Sequence, residues 1–157
     1  METRIDLFNV GGNAIKAMYG LNAYLAKSTL EHGLLHLIEF RVSQINGCAF
    51  CLDMHAKDLR ADGETEQRLY LLNAWREAAH FYTDRERAAL SWAEAVTKLT
   101  GNEVPDEVFN EVRQQFTDQE LVDLTMAVIA INGWNRINIA FRPEVGTYQV
   151  GQFAVKA

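Results

Sequence analysis

Two cysteines, Cys48 and Cys51, stand three residues apart, and His55 follows four residues later. On a helix, at about 100° per residue, all three side chains project from one face across two turns. The preceding Asn46-Gly47 pair is a turn signal, so Cys48 falls at a helix N-terminus. Unpaired N–H groups and the positive end of the helix dipole favour a thiolate there. His55 lies one turn beyond Cys51, placed to take its proton directly or through a water. A low-pKa thiolate beside a second thiol is what a reversible dithiol–disulfide cycle needs. Metal binding is the competing chemistry, since Cys48, Cys51 and His55 offer three zinc ligands. A second Cys-x-x-Cys is missing from the sequence, so a closed structural zinc site is not expected. The bland reading is two buried apolar cysteines and a surface histidine.

The elements that must position these residues are helical. Hydrophobic periodicity predicts helices over 13–28, 34–45, 48–60 and 64–73. The second of these is apolar nearly all round, through Leu34, Leu35, Leu37, Ile38, Phe40, Val42 and Ile45, and is therefore expected to be central. Thr83-Asp84-Arg85-Glu86 and Thr117-Asp118-Gln119-Glu120 are capping boxes. The first opens a helix whose inner face is Ala89, Trp92, Ala93, Val96 and Leu99, ended by Thr100-Gly101-Asn102. The second opens a long helix through Phe141, stopped by Pro143. Between them, Pro105 suits the start of a short helix through about Gln115. The stretch 146–157 alternates weakly and reads as an extended arm or a disordered tail. The expected fold is one all-α domain of six to eight helices over residues 1–157, with its core at about 12–148.

Composition agrees. With 157 residues the chain suits one compact domain, and its 48% hydrophobic content is that of a globular protein. Ten Gly and two Pro are too few for an all-β chain. The net charge of −6 disfavours nucleic-acid and anionic-membrane partners. A basic-then-apolar leader is missing from the N-terminus, and the apolar runs fall far short of the ~18 residues of a membrane span. The expectation is a soluble protein of the cytoplasm. In such a reducing compartment a close cysteine pair is redox-active or metal-binding rather than a structural staple.

The run Arg41-Val42-Ser43-Gln44-Ile45-Asn46-Gly47-Cys48-xx-Cys51-xxx-His55 resembles the core motif of the carboxymuconolactone decarboxylase-like superfamily, and more narrowly its AhpD-like alkylhydroperoxidase branch. Ile131-Asn132-Gly133-Trp134-Asn135-Arg136 resembles the small peroxidase-related members of that branch. The resemblance implies an all-helical fold assembling as homo-oligomers, trimers or hexamers. It implies thiol-dependent reduction of a hydroperoxide, with Cys51 attacking the peroxide, His55 in its proton relay, and Cys48 resolving and meeting the reductant. It implies no bound cofactor but an external dithiol donor, a lipoyl group or similar. The decarboxylases that name the superfamily generally lack the cysteine pair.

One position departs from the family pattern. The relay glutamate twelve residues before the first cysteine is replaced by His36, and the nearest carboxylate is Glu39, roughly on the same helical face. A histidine can shuttle protons near its ordinary pKa of about 6.5, but when neutral it does not stabilise a charged His55 as a carboxylate does. Either His36 or Glu39 is a candidate for the missing base, and His36 could also complete a four-ligand metal set. Ser43 and Asn46 read as structural. Trp134, Asn135 and Arg136 read as packing residues and partners of helix ends, with a pocket wall or subunit contact as the functional alternative. His32 and His80 have no constellation around them. Alternative functions are a disulfide relay, a peroxide sensor, a metal-binding protein, or a decarboxylase on the same fold that would not need the cysteines.

Overall fold

Periodicity and local caps divide the chain into eight α-helices, described in a computed structural model over residues 2–153: α1 (Leu7–Val10), α2 (Gly12–Leu25), α3 (His32–Asn46), α4 (Ala49–Ala61), α5 (Glu66–Leu71), α6 (Asp84–Lys98), α7 (Asp106–Val112) and α8 (Asp118–Phe141). No strand occurs among the described residues. Both capping boxes form. The Thr83 and Thr117 hydroxyls accept from the N–H groups of Glu86 and Glu120, and each glutamate accepts from its threonine's N–H. Pro105 is the cap residue of α7 rather than its first member.

Two boundaries differ from the sequence reading for local reasons. Asp6 accepts from the N–H groups of Phe8 and Asn9 and so starts an extra helix, α1, ahead of the expected first one. Leu99, expected on the inner face of α6, is instead its left-handed cap (φ 42°) and is 50% exposed.

Helix α3 is central, as its all-round apolar surface requires: it packs on α4, α6 and α8. Leu37, Ile38 and Val42 are fully buried, against Leu90 of α6 and Leu124, Val128 and Ile131 of α8. Each such side chain contributes about 1.5–3 kcal/mol by leaving water. No helix among the described residues is long and apolar enough to cross a membrane.

The core also holds a charge. Arg41 of α3 and Glu94 of α6 are buried and paired, with guanidinium nitrogens 2.7 and 2.8 Å from one carboxylate oxygen. Trp75 and Arg76 donate to the same carboxylate at 3.0 and 2.6 Å. Arg41 donates onward to Gln44 and Asn73. This satisfied network joins α3, α6 and the turn after α5.

The chain's last described residues are not a free tail. Tyr148 is buried, its hydroxyl donates to Asp58 of α4 at 2.8 Å, and Lys57 donates to the Gly146 and Tyr148 carbonyls. Phe153 stacks on Tyr148 and on Phe8, with ring centroids 5.6 and 5.7 Å apart. Residues 154–157 of the expected arm lie outside the described residues.

Burial alone would raise the Glu94 pKa, but hydrogen bonds from Arg76, Trp75 and Arg41 hold it down at about 2. Glu94 therefore stabilises the fold fully above the ordinary carboxylate range near 4.5 and loses that contribution as pH falls toward 2. Urea unfolding between pH 6 and 3 should show stability falling with acid, with a smaller fall in Glu94→Gln. At pH 7, Arg41→Ala should cost about 3–5 kcal/mol, because it strands a buried carboxylate.

Candidate active site

The α3–α4 junction aims the cysteines. Gly47 closes α3 with φ 68°, and the Cys48 N–H donates back to the Ser43 carbonyl at 3.1 Å. A side chain at that left-handed position would cost about 1–2 kcal/mol. Asn46, the last residue of α3, donates to the side-chain carbonyls of Asn135 (2.8 Å) and Asn132 (3.0 Å) on α8, and Asn135 donates to the Ser43 hydroxyl at 3.0 Å. Ser43, Asn46 and Asn135 thus have the structural roles expected of them, and Asn135 is fully buried.

Cys48 is the N-cap of α4. Its sulfur accepts from the Cys51 N–H at 3.4 Å, at the positive end of the helix as the sequence predicts. The two cysteines are joined as a disulfide, with Cα atoms 5.4 Å apart. Both are buried, at 1% and 0% exposure. The expectation that Cys48 faces an incoming reductant is therefore not met in this conformation: as a cap, its side chain turns inward over the helix end.

Asn138, which the sequence reading passed over, donates from Nδ2 to the Cys51 sulfur at 3.3 Å. It lies on α8, 87 residues from Cys51 and two residues beyond the Ile131–Arg136 run, so no local signal marked it. A side-chain amide there stabilises negative charge on sulfur.

His55 is buried one turn along α4, and neither ring nitrogen has a hydrogen-bond partner. A disulfide sulfur carries no proton, so the transfer to His55, direct or through a water, that helical spacing suggests belongs to the reduced pair. Glu39 Oε2 lies 3.4 Å from His55 Nδ1. Burial pushes the Glu39 carboxyl up, helped by the charge on Asp58. Burial, with a smaller contribution from His36, pushes His55 down. Near neutral pH the pair therefore favours a protonated Glu39 beside a neutral His55, with the proton resting on the carboxyl. The Glu39 side chain keeps 22% exposure toward the cavity, so solvent moderates its shift.

Of the two candidates for the missing base, Glu39 is the one brought to His55. His36 places its Nδ1 3.5 Å from Asp62 and meets His55 only ring edge to face, with centroids 6.2 Å apart. His32, read as isolated, packs against His36 with ring centroids 4.1 Å apart and the planes tilted by 51°. The two histidines and Asp62 form a three-member group that could hold a metal, not the Cys48–Cys51–His55–His36 set considered from sequence.

A cavity of about 270 Å³ opens over this pair. Glu39, His55 and Asn138 give it a polar end, and Phe50, Met54, Trp134, Ile137 and Phe141 line it with apolar surface. The N-terminal segment Thr3–Phe8 forms part of its wall, tied down where the Arg4 N–H donates to the Phe141 carbonyl. Trp134, for which a pocket wall is the functional alternative to packing, lines this cavity and donates to Asn22.

The sequence model of the Carboxymuconolactone decarboxylase family matches residues 12–95. The uncharacterized protein YdfG of Bacillus subtilis is 42% identical over 140 residues, which cover 89% of this chain and 95% of that one. A crystal structure from Agrobacterium tumefaciens superposes with a TM-score of 0.88 at 46% identity, covering 94% of this chain and all of the other. That protein is of unknown function and has been suggested to be the antioxidant defence protein AhpD. The debrominase Bmp8 shares the fold alone, with a TM-score of 0.75 at 20% identity, over 87% of this chain and 74% of its own.

The raised Glu39 pKa has a measurable sign. Between the ordinary carboxylate value near 4.5 and its folded value of about 8, the native state keeps a proton that the unfolded chain releases, so Glu39 makes stability fall as pH rises. Relative to wild type, Glu39→Gln should therefore gain stability across pH 5 to 8, read by urea midpoints. Equal slopes for the two proteins would place the proton elsewhere.

Proposed function

Because the chain belongs to the carboxymuconolactone decarboxylase family, on its AhpD-like branch, we propose that it is a thiol-dependent peroxidase reducing organic hydroperoxides. The observation that carries this reading is the Cys48–Cys51 pair at the start of α4, beside an apolar cavity whose polar end is Glu39, His55 and Asn138. In the reduced state the Cys51 thiolate, stabilised by Asn138, attacks the distal peroxide oxygen. The O–O bond breaks, the sulfur becomes a sulfenic acid, and the alcohol leaves after taking a proton delivered through His55 and Glu39. The Cys48 thiol then condenses with the sulfenic acid, forming the disulfide and releasing water. An external dithiol, a lipoyl group or similar, returns the pair to two thiols and is itself oxidised. No cofactor need be bound for this cycle. A reducing compartment such as the cytoplasm suits its last step.

Two features bear on partners. Both sulfurs are buried, so the donor half-reaction requires the α4 N-terminus to open. Val122, Ile129 and Ile139 of α8 are about half exposed, which suits association as the trimer or hexamer implied by the family.

Reduced protein with excess dihydrolipoamide should consume an alkyl hydroperoxide through many turnovers. Cys51→Ser should abolish turnover, and Cys48→Ser should stop after one equivalent with a trappable sulfenic acid. Full activity in Cys51→Ser would overturn the proposal, and a single equivalent in the wild type would make the protein a sensor or relay. Asn138→Ala should slow peroxide reduction about tenfold, the worth of one hydrogen bond of ~1.4 kcal/mol to the reacting sulfur.

A further inference from the structure

We propose that His32, His36 and Asp62 form a binding site for a divalent transition metal of the zinc class, separate from the cysteine pair. His32 and His36 stand four apart on α3, so they share one face one turn apart. Asp62 is the C-terminal cap of α4, and the packing of α4 on α3 brings its carboxylate to that face. His32 Nδ1 and His36 Nδ1 lie 3.4 and 3.5 Å from the same Asp62 oxygen. Ligand atoms of all three residues fall within 4.8 Å of one another.

These distances fit a shared cation better than they fit hydrogen bonds. Both exceed the usual 2.7–3.2 Å of an N–H···O bond, and His36 Nδ1 is buried with no hydrogen-bond partner. Zinc sits about 2.0–2.2 Å from imidazole nitrogen and carboxylate oxygen. Tetrahedral ligands at that radius are about 3.3–3.6 Å apart, the spacing found on both His–Asp edges. Two imidazoles and one carboxylate select zinc, cobalt, nickel or copper over magnesium or calcium, which prefer all-oxygen shells.

The surroundings leave room for a fourth ligand. The three residues line a cavity of about 340 Å³, with Glu39 and His55 on another part of its wall. The neighbouring carboxylate, Asp58, is already engaged by the Tyr148 hydroxyl and the Gly151 N–H, so a water or small anion takes the open position. Three protein ligands plus one exchangeable site is the pattern of a reactive rather than a closed structural zinc centre. The bound ion would tie the start of α3 to the end of α4.

The test is calorimetric titration of the oxidised protein, whose disulfide removes the thiols as ligands, with Zn²⁺, Co²⁺ and Mg²⁺. One Zn²⁺ or Co²⁺ per chain is expected, with visible Co²⁺ absorption typical of four-coordination and no saturable Mg²⁺ binding. His32→Ala and Asp62→Asn change exposed side chains, so the fold should survive, as checked by circular dichroism. Each should weaken Zn²⁺ binding at least 100-fold, since losing even an outer-shell partner costs about 10–100-fold. Zinc binding unchanged in both variants, Mg²⁺ competing equally, or no saturable binding would overturn the proposal. None of these results depends on peroxidase activity.

Discussion

The site rests on one buried chain of hydrogen bonds that fastens the end of α3 to α8. The partly buried Asn46 and the buried Asn135 and Ser43 satisfy one another, and Asn135 has no access to water. A buried amide left without partners costs about 1–3 kcal/mol, so this chain tolerates one arrangement of the two helices and penalises others. With α3 so fixed, the left-handed Gly47 turn has one direction in which to launch α4. That direction brings Cys51 under Asn138 and His55 beside Glu39.

Polarity inside the fold is handled in two ways. At Arg41 and Glu94, charges are buried but fully paired, and the surrounding donors keep the carboxylate ionised. At Glu39 and His55, the groups lie close without a formed hydrogen bond, and burial drives both toward their neutral forms. The first arrangement locks α3 against α6. The second leaves an uncharged carboxyl beside an uncharged imidazole and adds no ion pair to hold the helices together. Arg41 and Glu39 sit on α3 two residues apart in sequence and serve different duties because they face different neighbours, Glu94 of α6 and His55 of α4.

The two ends of the chain complete the cavity that the helices begin. Thr3–Phe8 forms part of its wall, and the segment around Tyr148 folds back on α4 to bring Phe153 against Phe8. Neither terminus carries strong periodicity, so their contribution is set by long-range contacts: the Arg4 N–H to the Phe141 carbonyl, and Tyr148 to Asp58.

What the sequence determined by itself was local. Helical periodicity, two capping boxes and the Asn46-Gly47 break settle the fold class and most helix positions, because those signals act within a few residues. The spacing of Cys48, Cys51 and His55 likewise places a cysteine pair and a histidine on one short helix. Tertiary structure decided which groups meet across it. It brought Glu39 rather than His36 to His55, aimed Asn138 at Cys51 from 87 residues away, and gathered His32, His36 and Asp62 into one group. These outcomes depend on how α3, α4 and α8 rotate and cross when their apolar faces pack. A one-dimensional period specifies which side of a helix is buried, but the partner it is buried against is chosen by the whole core.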